Sequence, residues 1–140
     1  MAKLFNMKLL FAVVLCLASI TAYASQMKPK HLDKIESAIG KRPEQAVYGQ
    51  FVFGTFARNA LNARTAYIAF DAGTLYVLTQ IKQRELIETR CEEITDVQIA
   101  YRGAAGAVAT IATADRLFRL FMHRTDGGQA LLDSLRSCLK

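Results

Sequence analysis

Tryptophan is missing from this chain, and proline and histidine occur only twice each. Each scarcity excludes something. A catalytic cysteine needs a base, usually histidine, and a third group to orient that base. Only His31 and His123 are present, neither has an obvious orienting neighbour in the sequence, and His31, at the start of the first helix, reads as a solvated surface residue. The two prolines, Pro29 and Pro43, lie before the first long apolar stretch of the fold, so the interior of the chain suits an uninterrupted antiparallel sheet. No run of five basic residues occurs, although the net charge is +6. A dedicated nucleic-acid binder would concentrate those charges on one face, so nucleic acid is set aside as a partner.

Long hydrophobic runs are also scarce. The one near the N-terminus, Leu9 to Ile20, follows Lys3 and Lys8 and precedes Ala22-Tyr23-Ala24. That is the layout of a secretory signal peptide, residues 1–24, with cleavage between Ala24 and Ser25. The run is about a dozen residues, short of the ~20 that cross a bilayer as a helix, so a stable transmembrane anchor is not expected. Cys16 has Leu15 before it, where a lipoprotein site wants a small residue. The expected location is periplasmic or secreted. Removing residues 1–24 leaves sixteen basic and twelve acidic residues, a net charge of +4. The remaining segment, 25–140, suits a single domain with its own core.

Periodicity then sets the plan. Leu32, Ile35 and Ile39 mark one stripe of a helix over residues 30–39, closed by Gly40 and Pro43. From about residue 46 to 123 the period is two. Val47, Phe51 and Phe53 alternate with Tyr48 and Gln50, and Gly49 and Gly54 would ease a bulge or bend. Asp71 to Gly73 reads as a tight hairpin turn. About seven strands follow at short, regular spacing, with Ile94, Val97, Ile99 and Tyr101 as burial candidates in the fifth. A second helix spans residues 127–139, with Leu131, Leu135 and Cys138 on one face and Thr125 or Asp126 as N-cap. The fold class is mainly β with flanking helices: a bent, partly open antiparallel barrel capped by the last helix.

Two cysteines survive processing, Cys91 and Cys138. An oxidising compartment and an even count point to a disulfide between them. Two free buried thiols are the alternative. A metal site built from Cys91, Cys138 and His123 lacks a fourth ligand and matches no zinc spacing. Glu92, Glu93 and Asp96 sit beside Cys91. On a strand Glu92 and Asp96 would be ~13 Å apart, too far for paired carboxylates, so they read as a solvated start to a strand. Phe51, Phe53, Tyr67, Phe70, Tyr76, Phe118 and Phe121 read as core rather than as a ligand pocket. No cofactor is implied, and no catalytic residue is assigned.

Three stretches carry a resemblance. "AGTLYVLT" is similar to a glycine turn running into a strand, "EEITDVQI" to an acidic lead-in and strand, and "ATIATADRLFRLFM" with "GQALLDSLRSCL" to a strand pair and terminal helix. In this order the chain, from about Leu32 to Leu139, resembles the bacterial pleckstrin-homology-like (PH-like) domains, including the YokE-like and GRAM-like groups. The resemblance implies a strongly bent sheet whose open end is plugged by the C-terminal helix. The lack of a nucleophile–base or metal set, together with a fold class that presents sheet edges and loops, points to a non-enzymatic binding module, with an envelope protein or a lipid headgroup as partner. The first hairpin interval, "ARNALNAR", offers only Arg58 and Arg64 toward a headgroup. Two other functions stay in view: a carrier of lipid or another small apolar ligand in the barrel interior, and a small envelope hydrolase or toxin antagonist drawing on His123 and Asp126.

Overall fold

A computed structural model of the chain describes residues 29–53, 63–79 and 84–140. The expected leader with Ala24, Ser25 and Cys16, and the positions of Gly54 and Arg58, lie outside the described residues. Helix α1 runs Pro29–Ile39. Gly40 then takes a left-handed φ of 79°, and its amide donates to Glu36 O at 2.8 Å, closing the helix. Seven strands follow: β1 Gln45–Phe53, β2 Arg64–Asp71, β3 Thr74–Thr79, β4 Glu85–Arg90, β5 Ile94–Arg102, β6 Gly106–Thr113 and β7 Leu117–His123. A short 3-10 turn, Cys91–Glu93, joins β4 to β5. Helix α2 spans Gly128–Ser137.

All strand pairs are antiparallel, in the order β4-β3-β2-β1-β7-β6-β5. The sheet curls but does not close: among the described residues β4 and β5 are its two edges. Inside the curl lie Ile68, Leu75, Val77, Ile111, Phe118 and Leu120, all fully buried. Helix α2 covers them with Leu131, Leu132 and Leu135, also fully buried. This is the plugged, bent sheet that the resemblance implies.

A second core forms on the other face. Helix α1 lays Leu32 and Ile35 over Tyr67, Ala69, Tyr76 and Leu78. Strands β2 and β3 are therefore covered on both faces, so Ala66 to Phe70 and Leu75 to Leu78 are buried without alternation. Strands β6 and β7 are covered on one face only and alternate buried with half-buried residues.

The β2–β3 turn is Ala72-Gly73, with φ of 47° and 76°, the two positive values of a type I′ turn. The expected bulge is not at Gly49, where the β1–β2 register runs unbroken against Ala66. A Cβ on Gly49 would clash with the carbonyl oxygen of Phe121, so this glycine lets β7 approach β1. The bulge falls instead in β5, between Ile94 and Asp96. Neither Thr125 nor Asp126 caps α2. Its N-cap is Gly127, with φ of 93° and no side-chain cap. A Cβ on Gly128 would clash with the carbonyl of His123, so the junction needs glycine where β7 turns into the helix.

Lys41 and Asp71 tie the α1 end to the hairpin. Lys41 Nζ lies 2.7 Å from Asp71 Oδ2, and the Glu44 amide donates to Asp71 Oδ1 at 3.0 Å. The hydrogen bond from Lys41 holds the Asp71 carboxyl below the ordinary carboxylate range, and the same bond raises Lys41. A lowered carboxyl contributes stability that is present above its unfolded value and is lost as pH falls through its folded value. A raised lysine contributes stability that is present at lower pH and is lost as pH rises through its folded value. The pair therefore stabilises the fold across the neutral range. Urea titrations of wild type and Asp71→Asn will differ most at neutral pH, and the gap will close on acidification below about pH 4. Truncating the plug with Leu132→Ala will cost roughly 2–5 kcal/mol, read as a lower urea midpoint with an unchanged slope.

Candidate functional site

Helix α2 is moored at both ends of edge strand β5. At the start of β5, Cys91 opens the 3-10 turn and Cys138 caps the C-terminus of α2. Their sulfurs are joined, with a Cα–Cα distance of 4.8 Å. Both cysteines are half-buried against the main core. The bridged sulfurs provide neither a thiolate nucleophile nor a metal ligand. Cys91 N also donates to Gly73 O at 2.8 Å, so the β2–β3 turn, the disulfide and the start of β5 meet at one point.

The acids beside Cys91 are exposed. Glu93 Oε2 accepts from the Arg90 amide at 2.9 Å, Glu92 lies 3.9 Å from Arg90 Nε, and Asp96 accepts from Gln98. They form a wet lead-in to the strand, as expected. Glu92 and Glu93, with Glu88, Thr95, Thr113, Asp115 and Arg116, border an open cleft of about 330 Å³. The cleft lies where the edge strand β4 gives way to β5, next to the β6–β7 turn. Among the described residues no group of three or more His, Cys, Asp or Glu side chains is placed to hold a metal ion.

At the other end of β5 the sequence reading needs correction. Tyr101, a burial candidate, is 48% exposed. The Arg124 guanidinium stands 4.6 Å from its ring centroid and that of Arg136 5.9 Å. Arg136 donates to the Tyr101 hydroxyl at 3.2 Å. Hydrogen bonds from Gln129 and Arg136 hold this phenol below its ordinary value, since both favour the phenolate. Arg124 also donates to the carbonyls of Gly103 and Ala104 and so clamps the β5–β6 turn. Between these ends, Val97 and Ile99 are half-buried at the margin of the core rather than inside it. Ile94 alone of the four candidates is buried.

The histidines stay apart from the cysteines. His123 is exposed and ends β7 just before α2, while Cys138 lies at the far end of that helix, about 15 Å away at 1.5 Å per residue. His31, expected at a solvated position, is half-buried and stacks near Tyr48 and Tyr67, with ring centroids at 5.8 and 5.1 Å. Burial raises the Tyr67 phenol. Of the aromatic residues assigned to the core, Phe51, Tyr67, Phe70, Tyr76 and Phe118 are buried. Phe121 is half-buried, and Phe53 is 53% exposed at the end of β1.

No protein-family model matches the chain, and no curated protein matches it. Among solved structures, it is similar to the C-terminal domain of an unknown protein from Leishmania infantum. The identity is 12%, over 77% of this chain and 94% of that one, with a TM-score of 0.51. It also aligns with the PH domain from TgAPH at 12% identity, over 66% of this chain and 80% of that one, with a TM-score of 0.44. The first likeness concerns the fold alone.

The disulfide closes a loop with a sequence separation of 47. In the chain-entropy picture such a loop is worth ~4 kcal/mol. Alkylation of the protein in denaturant will label neither Cys91 nor Cys138 before reduction and both after it. The Cys91→Ser, Cys138→Ser double variant will unfold at a lower urea concentration by about that free energy.

Proposed function

We propose that this protein is an exported, non-enzymatic binding module that takes a protein partner at the cell envelope as an added strand along β5. One observation carries the reading. Strand β5 has nine residues, pairs only with β6 among the described residues, and leaves its other edge without a strand. An unpaired edge presents a row of backbone donors and acceptors, the template for strand addition. Here the half-buried Val97 and Ile99 lie beside that edge and α2 flanks it, so an added strand gains apolar cover as well as backbone bonds. The signal-peptide pattern ending at Ala24–Ser25 and the Cys91–Cys138 disulfide support the exported location.

The interior supports a surface-binding role over the carrier alternative. It is filled by Phe118, Leu120, Ile111 and the three leucines of α2. The hydrolase alternative draws no support from the site, since the disulfide, the exposed acids and His123 form no nucleophile–base set.

The test pairs a variant with a map. Ile99→Lys places a charge at the half-buried margin without opening the main core. Protein purified from its own envelope will carry a partner that slows amide exchange in β5, and Ile99→Lys will lose that partner while keeping its far-UV spectrum. A partner that tolerates Ile99→Lys, and whose protection maps to α1 and β1, would overturn the reading. A lipid found in the purified protein in place of a protein partner would turn it toward the carrier.

A further inference from the structure

The two ends of β5 carry opposite charge. At its C-terminal end stand Arg102, Arg124 and Arg136 around the exposed Tyr101. Among the described residues none of these three guanidiniums has a carboxylate within 4 Å, because the ion pairs formed are Lys41–Asp71 and Arg90–Glu92. Arg124 Nε is buried and without a hydrogen-bond partner. At the N-terminal end stand Glu92, Glu93 and Asp96, all exposed, with Glu92 only loosely paired to Arg90. Between the ends lie Val97 and Ile99, two residues apart on the strip beside α2.

A strand added antiparallel to β5 begins at the arginine end and finishes at the acidic end. Antiparallel addition continues the pattern of the whole sheet and is the more stable pairing per residue. The complementary strand is therefore acidic first, apolar at alternate positions in the middle, and basic last. β5 is itself such a strand: it starts after Glu92 and Glu93, carries Val97 and Ile99, and ends in Arg102.

We propose that the partner strand is the β5 of a second copy of this chain, so that two copies join edge to edge about a two-fold axis near Gln98. This rests on the edge-addition reading above and names its occupant. A two-fold contact is self-complementary, so residue i faces residue j and j faces i. Centred on Gln98, it sets Val97 against Ile99 twice, two apolar cross-strand pairs on the strip beside α2. With Thr95 as the extra residue of the bulge, it also sets Tyr101 against Ile94 twice, which brings the arginine end of each copy to Glu92 and Asp96 of the other. A shift by one residue would turn Val97 and Ile99 to the opposite face, so the apolar pairs fix the register and the charges fix the direction.

Sedimentation equilibrium of the exported protein, disulfide intact, tests this with two charge-changed variants. Arg102→Glu with Arg136→Glu makes both ends acidic. Glu92→Lys with Asp96→Lys makes both ends basic and spares Glu93, which accepts the Arg90 amide. All four positions are exposed, and an unchanged far-UV spectrum will show that each variant folds. The wild type is expected to form a dimer that weakens as salt rises. Each variant alone should dimerise at least about tenfold more weakly, because like charges replace two opposed pairs. An equimolar mixture of the two should recover a mixed dimer, because opposite charges then meet at both ends.

A wild type that stays monomeric at the highest attainable concentration would overturn the self-pairing. If that monomer still lost a different protein partner on Ile99→Lys, the edge-binding function would stand without it. A dimer indifferent to both variants, or no recovery on mixing, would overturn the charge-directed pairing. Arginine-dependent binding to vesicles of mixed zwitterionic and anionic phospholipid by a monomeric wild type would assign the cationic end to a membrane surface instead.

Discussion

The curled sheet does not close on itself, and the rest of the structure follows from how its open mouth is covered. With β4 and β5 unpaired to each other, the inward side chains of seven strands would face water along one side. Leu131, Leu132 and Leu135 supply the cover. A helix of ten residues is marginal on its own, so α2 depends on this burial and on what holds its ends. Glycine at 127 and 128 allows the abrupt start after β7, and the bridge from Cys138 to Cys91 fixes the finish. The same placement sets Gln129 and Arg136, two turns apart on α2, against Tyr101. The cationic end of β5 is thus a consequence of how the plug is seated.

The second helix makes the two halves of the sheet unequal. Helix α1 covers the outer face of β2 and β3, so those strands are dry on both sides and resist strand exchange. Strands β6 and β7 have one dry face and β5 only a half-buried one, and the outer face of β5 is wet. The Lys41–Asp71 pair holds the α1 end to the β2–β3 turn, and Cys91 N bonds to that turn's carbonyl, so the buried half is tied to the disulfide as well. The half that is left with an edge and a wet face is the half that can meet a partner.

Local pattern carried much of this fold in the sequence. Leu32, Ile35 and Ile39 marked α1, the step to period two marked β1, and Gly73 marked the tight turn. Leu131, Leu135 and Cys138 marked α2, and the compartment expected from the leader pattern suggested which sulfurs would meet. What stayed hidden depends on long-range geometry. Tyr101 shares the alternation of Val97 and Ile99, so its pattern reads as buried. Its exposure follows from lying at a sheet edge, and its partners Arg124 and Arg136 are 23 and 35 residues away in the sequence. His31 reads as solvated because Tyr48 and Tyr67 reach it only once β1 and β2 pair. The N-cap was misplaced because the backbone path out of β7, rather than side-chain capping, decides that junction.

An exposed edge of nine residues is an aggregation hazard unless something restricts what may pair with it. Here the restrictions are built in: a bulge between Ile94 and Asp96, charges at both ends, and a helix along one side. Yet these guards are not neutral. Charges of one sign along the whole edge would repel any copy in any register. Opposite signs at opposite ends repel a parallel copy and attract an antiparallel one, and Val97 and Ile99 permit only registers that keep both on the same face. The devices that block generic pairing therefore select one partner strand, and the strand that meets their terms is the one that carries them.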